Sequence, residues 1–443
     1  MVSLELSILT LNVWGIPFVS ADRAERMQNI GKELASGKYD IVSLQEVWTE
    51  KDSVNLQELT KAVLPYAHYF YSGVIGAGLL VLSKYPIVTS LFHSWTVNGY
   101  CHRIQHADWF GGKGVGMCRI RVGDLYVHVY NAHLHAEYNI KNDDYKTHRV
   151  IQAFDTAQFI EATRWDAAVQ VLAGDLNTKP TDISYKVLLY TSQMKDTCNS
   201  DTISTNESKQ NSYTSKKVLA RNPLGFRIDH IFLRSSDKIK TSILEYKLPL
   251  PDRVPGQKFS YSDHEGVQVR LRLQQKQDGD TCSIRHINAC IEGEDAGEDE
   301  NEDTMRDVKL TPPQTPVITN GHSVVAEDEC PSDEPRLPKN LAIIKESIAL
   351  CEEHLKKLKT DRIIYFTIAA ILLACLIVMA EFPVPVGYKT LYLLLKLLVF
   401  AIILFCTFMG SIWNLMERNG TLSGKTSMEI KLQTSQYVNL KRD

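Results

Sequence analysis

The chain has 443 residues, with 49 Lys and Arg against 52 Asp and Glu, a net charge of −3. That balance creates no overall positive field and argues against a dedicated nucleic-acid binder. Nine cysteines lie scattered without close pairs, so no disulfide framework is expected and a reducing compartment is the simpler setting.

The length suits one large domain plus extra segments. The N-terminus opens directly into the apolar run Leu4–Val13 with no basic leader, which predicts a first strand rather than a signal peptide. The spacing of Met27, Ile30 and Leu34 predicts a helix over Arg23–Leu34. A buried strand is expected over 39–46, a helix around 52–63, and a strand over 76–86 stopped by Pro86. Residues 95–116 are aromatic, basic and glycine-rich. A strand over Leu125–His133, a helix over 145–164 and a buried strand over Ala168–Asp175 follow. The polar stretch 200–222 reads as an exposed loop, and Phe226–Arg234 and Val267–Leu273 close the domain at about residue 274. Strands alternating with helices indicate an α/β class.

Beyond this, 275–340 carries the acidic run Glu292–Asp303 and prolines from Pro312 to Pro338, the composition of a disordered linker. Residues 341–362 read as a juxtamembrane helix with Leu341, Ile344, Ile348, Leu355 and Leu358 on one side, either a coiled segment or a helix lying on a membrane. Ile363–Ala380 is uncharged and, as a helix, about 27 Å long, close to the hydrocarbon thickness. Residues 391–415 form a second apolar run, with Lys396 placed to snorkel. A buried hairpin of a soluble domain is the alternative reading. Lys356, Lys357, Lys359 and Arg362 precede the spans and Arg418 and Lys425 follow them. The positive-inside rule then places the large domain and the 416–443 tail in the cytosol. Ala369, Ala370 and Ala374 offer a small-residue face through which spans could pack between protomers.

Five short stretches end apolar runs with polar side chains: Leu11–Trp14, Gln45–Trp48, Gly174–Asn177, Arg227–Ile231 and Ser262–Asp263–His264. Together they supply hard oxygen ligands and imidazole, which a divalent metal and a phosphate ester both need. Glu46 is the candidate Mg²⁺ ligand, since that ion is held by one or two carboxylates plus water and phosphate oxygens. Asp175 can hold or deprotonate a water and Asn177 can orient it. His264 can act as a general base, with Asp229 fixing its tautomer. His133 ends a strand and is a second candidate; His135, His148 and His230 read as mainly structural. Lys113 could neutralise phosphate charge. Trp95, Tyr100, Trp109 and Phe110 either meet the lipid interface or pack in the core.

In that order, Asn12, Glu46, Asp175-x-Asn177, Asp229 and Ser262–Asp263–His264 resemble the endonuclease/exonuclease/phosphatase superfamily over about residues 4–273. Leu11–Pro17, Asn98–Tyr100, Asp108–Gly114 and Asn131–Tyr138 narrow the resemblance to its neutral sphingomyelinases. The resemblance implies a deoxyribonuclease-I-like, four-layer α/β sandwich followed by a two-helix transmembrane hairpin. It implies Mg²⁺-dependent hydrolysis of sphingomyelin to ceramide and phosphocholine, with Mn²⁺ as a substitute ion. By position, Glu46 binds metal, with Asp263 adding a metal or neighbouring contact. Asn12, Asp175 and Asn177 surround phosphate and water, His264 pairs with Asp229, and His133 contacts phosphoryl oxygens. Lys113, Trp109 and Tyr100 are the expected substrate contacts. Which of His264 and Asp175 activates the water stays open, as does the host membrane among endoplasmic reticulum, nuclear envelope and plasma membrane. Three other readings remain: a phospholipase C on choline lysophospholipids, a nuclease or inositol phosphatase of the same fold, and an inactive membrane-tethered binding module.

Overall fold

The computed structural model describes residues 3–276 and 336–440, except 107, 140, 201, 383 and 385. Most of the expected acidic linker therefore lies outside the described residues. The first region runs β1 (Ser3–Asn12), α1 (Arg23–Leu34), β2 (Ile41–Gln45), α2 (Glu50–Thr60), β3 (Tyr66–Phe70), β4 (Leu79–Ser83), β5 (Ile87–Ser94), α3 (Asp108–Gly111) and β6 (Gly114–Val122). It continues through β7 (Leu125–His133), α4 (Lys146–Ala162), β8 (Ala167–Asp175), α5 (Ile183–Ser192), β9 (Lys195–Asp196), α6 (Lys216–Arg221), β10 (Asp229–Ser235), β11 (Ile239–Lys247) and β12 (Val267–Gln275).

Two sheets form, in the orders β11-β12-β1-β2-β4-β3 and β5-β6-β7-β8-β10-β9. Each contains one parallel pair, β1 with β2 and β7 with β8, and is otherwise antiparallel. A parallel pair requires a crossover, which α1 and α4 supply. Leu6, Ile8, Ile41 and Val81 of one sheet meet Val129, Val171 and Ile231 of the other in the central layer. Met27, Ile30, Leu34 and Leu56 cover the outer face of the first sheet, and Val150, Ile151, Phe154 and Val187 that of the second. The result is the four-layer sandwich expected. Strands covered on both faces read as nearly continuous apolar runs, which is why β1, β2 and β8 were legible.

Three polar side chains tie the sheets together inside this apolar layer. Ser43 Oγ donates to the Ala173 carbonyl at 3.1 Å. Gln45 Nε2 donates to Asn131 Oδ1 at 2.9 Å, and Asn131 Nδ2 donates to the Leu44 carbonyl at 2.9 Å. Each is fully buried, so an unmade bond would cost about 1–3 kcal/mol. These bonds fix the relative register of the strand ends that carry the site.

The C-terminal region is α7 (Arg336–Glu381), α8 (Lys389–Phe408), a π turn (Met409–Trp413) and α9 (Asn414–Leu440). The apolar parts of α7 and α8 are long enough to cross a membrane, and only 6% of each apolar window is buried. The hairpin is therefore not buried against the rest of the described residues. The helix expected at 341–362 and the run at 363–380 are one continuous helix, α7. Its buried face before the apolar part is Ile344, Ser347, Cys351, His354 and Leu358, packed against the sandwich rather than lying free. The stretch read as a tail after 416 is α9, whose Thr421 and Met428 are fully buried. A Cβ on Gly424 would stand 2.7 Å from Ile151 of α4, and one on Gly420 would stand 2.5 Å from the Thr96 carbonyl. Small residues there let α9 lie directly on the sandwich.

Candidate active site

The site forms where strand ends of both sheets meet. Asn12 ends β1, Asp175 ends β8, His133 ends β7 and Asp229 begins β10. Glu46 follows β2 in the left-handed region at φ 60°, and Asn177 lies two residues past β8 at φ 45°. These turns stop the strands and swing the side chains inward. Arg26 of α1, completely buried, donates to the carbonyls of Val13 and Trp14, each at 2.7 Å, and so anchors the loop after Asn12. Ser262 Oγ donates to the Asn12 carbonyl at 2.7 Å and brings Asp263 and His264 alongside.

Asn12 holds two carboxylates at once. Its Nδ2 donates to Glu46 Oε1 and to Asp175 Oδ2, each at 2.9 Å. The amide is therefore a positioning group between these acids. His264 Nδ1 stands 2.9 Å from Asp229 Oδ2, and its Nε2 stands 3.9 Å from Asp175 Oδ2. His133 Nε2 lies 3.6 Å from Asp175 Oδ2 and 3.9 Å from Glu46 Oε1. The Asn177 backbone N–H donates to Asp175 Oδ1 at 2.9 Å, and its Nδ2 donates to the Leu134 carbonyl at 3.0 Å.

Burial and crowding set the charges. Burial, then the neighbouring Asp263 charge, pushes the Glu46 carboxyl up to about 7. Burial and Asp229 raise Asp175 to about 6. Asp263 is raised by burial too. Burial works against charge on His264, but Asp229 and Asp175 outweigh it and hold the imidazolium well above the usual histidine range. His133 goes the other way: burial and then Lys113 keep it neutral. Glu46 and Asp263 are thus two crowded acids beside a neutral imidazole, a donor set of the kind that takes a hard divalent cation. Asp175, Asp229 and His264 also bring ligand atoms within 4.8 Å of one another, but the 2.9 Å Asp229–His264 contact reads as an acid–base pair.

Of the expected substrate contacts, Lys113 does reach the site but is almost fully buried and paired with Asp108 at 2.5 Å. Its Nζ lies 3.5 Å from His133 Nε2, so it supports that imidazole. Tyr100 is a correction. It is buried among Tyr145, Leu358, Met409 and Trp413, because the C-terminal helices cover the face on which it was expected to meet lipid. Trp95 is likewise core, donating to Thr156 Oγ1 at 3.1 Å. Trp109 stays partly exposed, edge-on to Phe110.

Asn206 was missed. Its Nδ2 lies 3.1 Å from His264 Nε2, and its backbone bridges both Phe226 and His264. The stretch read as an exposed loop therefore closes over the His264 imidazole. One polar asparagine in a polar segment carries no sequence signal of that kind. Two clefts flank the centre. One of about 670 Å³ is lined by Asn177, Lys179, Asn206 and Arg221. The other, about 400 Å³, is lined by Glu46, Trp48, Lys113, His133, Val74 and Ile75; both include Tyr138.

Residues 9–264 match the endonuclease/exonuclease/phosphatase family, more than half of the chain. The fold and site thus define a member of that family. A Drosophila melanogaster protein carrying a provisional neutral sphingomyelinase name is 56% identical over 98% of this chain and 99% of its own length. Human sphingomyelin phosphodiesterase 2 is 37% identical over 61% of this chain and 65% of its own. The crystal structure of sphingomyelinase C from Streptomyces griseocarneus shares 20% identity over 60% of this chain and 99% of that one, at a TM-score of 0.45, too weak a likeness to bear on function. The chain belongs to the endonuclease/exonuclease/phosphatase family, and within it to the neutral sphingomyelinase group.

Proposed function

We propose that the chain hydrolyses sphingomyelin to ceramide and phosphocholine with a divalent cation, Mg²⁺ by preference and Mn²⁺ as a substitute, from a membrane-anchored position. The observation that carries this reading is Asn12 joining Glu46 and Asp175, with the His264–Asp229 pair on one side and neutral His133 on the other. The names of the relatives supply the substrate class.

Glu46 and Asp263 would hold the cation, which when bound polarises the phosphoryl oxygen and stabilises the leaving alkoxide. Asp175 takes the proton of the attacking water, because His264 is held charged and cannot. The His264 imidazolium, steadied by Asp229, stabilises the charge that builds on the phosphoryl oxygens. In the neutral tautomer its Nε2 accepts from the Asn206 amide; when the ring is protonated the amide presents its oxygen instead. Asn177 orients the water, and neutral His133 donates to a phosphoryl oxygen. Phe18, Val74 and Ile75 are exposed, and Val74 and Ile75 line the second cleft, which suits approach to a lipid surface.

The apolar parts of α7 and α8 form the anchor. The basic residues Lys356, Lys357, Lys359, Arg362 and Arg418 favour the sandwich on the cytosolic side. The test is phosphocholine release from sphingomyelin vesicles with Mg²⁺ or EDTA, for wild type and His264→Ala. Metal-dependent release lost in the variant supports the reading. Release from lyso-phosphatidylcholine alone would keep the chemistry and replace the substrate. No release from either lipid, with metal bound, would sink the choline-lipid hydrolase reading.

A further inference from the structure

A second cluster of ligand atoms lies outside the catalytic centre and shares no residue with it. His148 comes from α4 of the sandwich, His354 from α7 and Glu417 from α9. Their ligand atoms lie within 4.8 Å of one another. All three side chains are buried, at 1%, 5% and 6% exposure. Tyr100 packs on both imidazoles and on Trp413, sealing the pocket with aromatic rings.

We propose that His148, His354 and Glu417 form a structural metal site of the zinc class that fastens the sandwich to the C-terminal helices. Two imidazoles and one carboxylate suit zinc better than magnesium or calcium, which prefer oxygen donors. Donors around a tetrahedral zinc at about 2.0–2.2 Å stand about 3.3 Å apart. His354 Nε2 already lies 3.3 Å from Glu417 Oε1. His148 Nε2 lies 2.6 Å from the same oxygen and needs to open by less than an ångström. A separate observation points to a missing partner. Neither ring nitrogen of His148 has a hydrogen-bond partner among the described residues, despite the short approach to Glu417. The carboxylate oxygen is near the imidazole but off its donor direction, so the carboxylate alone does not satisfy the ring. A cation between the three groups does. Each of three separate elements gives one ligand, so the ion joins parts of the chain that the sequence places more than two hundred residues apart.

The test uses full-length protein in detergent carrying Glu46→Gln, which disables the catalytic cation site. After equilibration with buffered trace zinc and gel filtration, zinc per chain is measured by mass spectrometry. The expected result is about one zinc per chain for this protein and none for Glu46→Gln with His354→Ala. If neither protein retains zinc, or both retain it equally, the proposal is overturned and the triad is a metal-free buried ion pair. Should His354→Ala fail to fold, cobalt(II) loaded into the Glu46→Gln protein decides. Intense visible bands of a four-coordinate ion support the site; the weak bands of a six-coordinate ion overturn it.

Discussion

Asp229 Oδ2 accepts from His264 Nδ1 at 2.9 Å, and no other side chain in the site does more to set the charge of that ring. Asp229→Asn removes the carboxylate and keeps the shape. It is expected to lower kcat by about 10²–10⁴-fold with little change in KM. The sign of the accompanying pH effect follows from the cause: without Asp229 the His264 imidazolium loses its proton at lower pH, so the alkaline limb of the rate profile moves to lower pH. Steady-state rates across pH check both. A large loss with an unmoved alkaline limb would show that His264 is not the group titrating.

Glu46 has a carboxyl pushed up to about 7 by burial and by Asp263. A cation can bind there only after that proton leaves. Below pH about 7 the half-saturating Mg²⁺ concentration is therefore expected to rise by up to about tenfold per pH unit, and to level off above it. Calorimetric Mg²⁺ titrations at several pH values check this. Glu46→Gln should bind far more weakly and lose the pH dependence; a variant with unchanged affinity would remove Glu46 from the metal site.

Asp108 and Lys113 are a buried pair beneath His133, at 5% and 3% exposure. Asp108→Asn leaves the ammonium without its counter-charge and is expected to destabilise the protein by about 3–5 kcal/mol. Burial alone would raise the Asp108 carboxyl, yet Lys113, then His135, outweigh it and hold it well below the usual range. A depressed carboxyl contributes stability that is complete above the unfolded pKa of about 4 and fades as pH falls below it. Denaturant midpoints measured from neutral to acid pH should show a wild-type advantage over Asp108→Asn that holds constant down to about pH 4 and shrinks with each step below it. Parallel pH curves would contradict the charge assignment.

Gly174 stands one residue before Asp175, where β8 runs against β7. A Cβ there would lie 2.0 Å from the Ala132 carbonyl oxygen, which is backbone and cannot turn aside. Gly174→Ala is expected to cost about 1–3 kcal/mol by pushing the parallel strands apart. Activity should fall further than stability predicts, since Asp175 moves with the strand. Thermal unfolding and kcat together check this; a variant with wild-type values of both would mean the strands have more room than the structure shows.

Much of the sandwich was legible because its central strands are buried on both faces and end in polar residues. The helix Arg23–Leu34 could be read to the residue from its apolar spacing. The strands β3, β5, β6, β9 and β11 were not. β5 alternates irregularly between exposed and half-buried, and β6 opens on Gly114 and Gly116. Those glycines break the apolar pattern because a Cβ on Gly114 would stand 2.2 Å from the His93 carbonyl and one on Gly116 2.6 Å from the Phe70 ring. The face of α7 was legible only in part, for a related reason. Of the marked residues, Ile344 and Leu358 are buried and Leu341, Ile348 and Leu355 only half-buried, whereas packing also buries Ser347, Cys351 and His354. Those small or polar side chains face inward because Glu417 and the sandwich surface meet them there. In the site itself, the strand-end acids and histidines were readable, but Asn206 and the support that Asp108 gives Lys113 depend on contacts between distant segments.

The π turn at Met409–Trp413 joins α8 to α9 without a break in the rod, and the Asn414 N–H bonds to the Met409 carbonyl five residues back. Such a turn carries one more residue than an α-helical turn. Phase is what this extra residue controls. One added residue turns everything after it by about 100°, so the face that α9 presents to the sandwich depends on this wide turn. Deleting Ser411 should restore ordinary winding and rotate everything after it by that angle, carrying Glu417, Thr421 and Met428 off the sandwich while leaving the composition of both helices almost untouched. Limited proteolysis of α9 would reveal the loss of docking, and unchanged protection would mean that the phase is set elsewhere. The junction thus sets, by one residue, the angle at which α9 meets the sandwich.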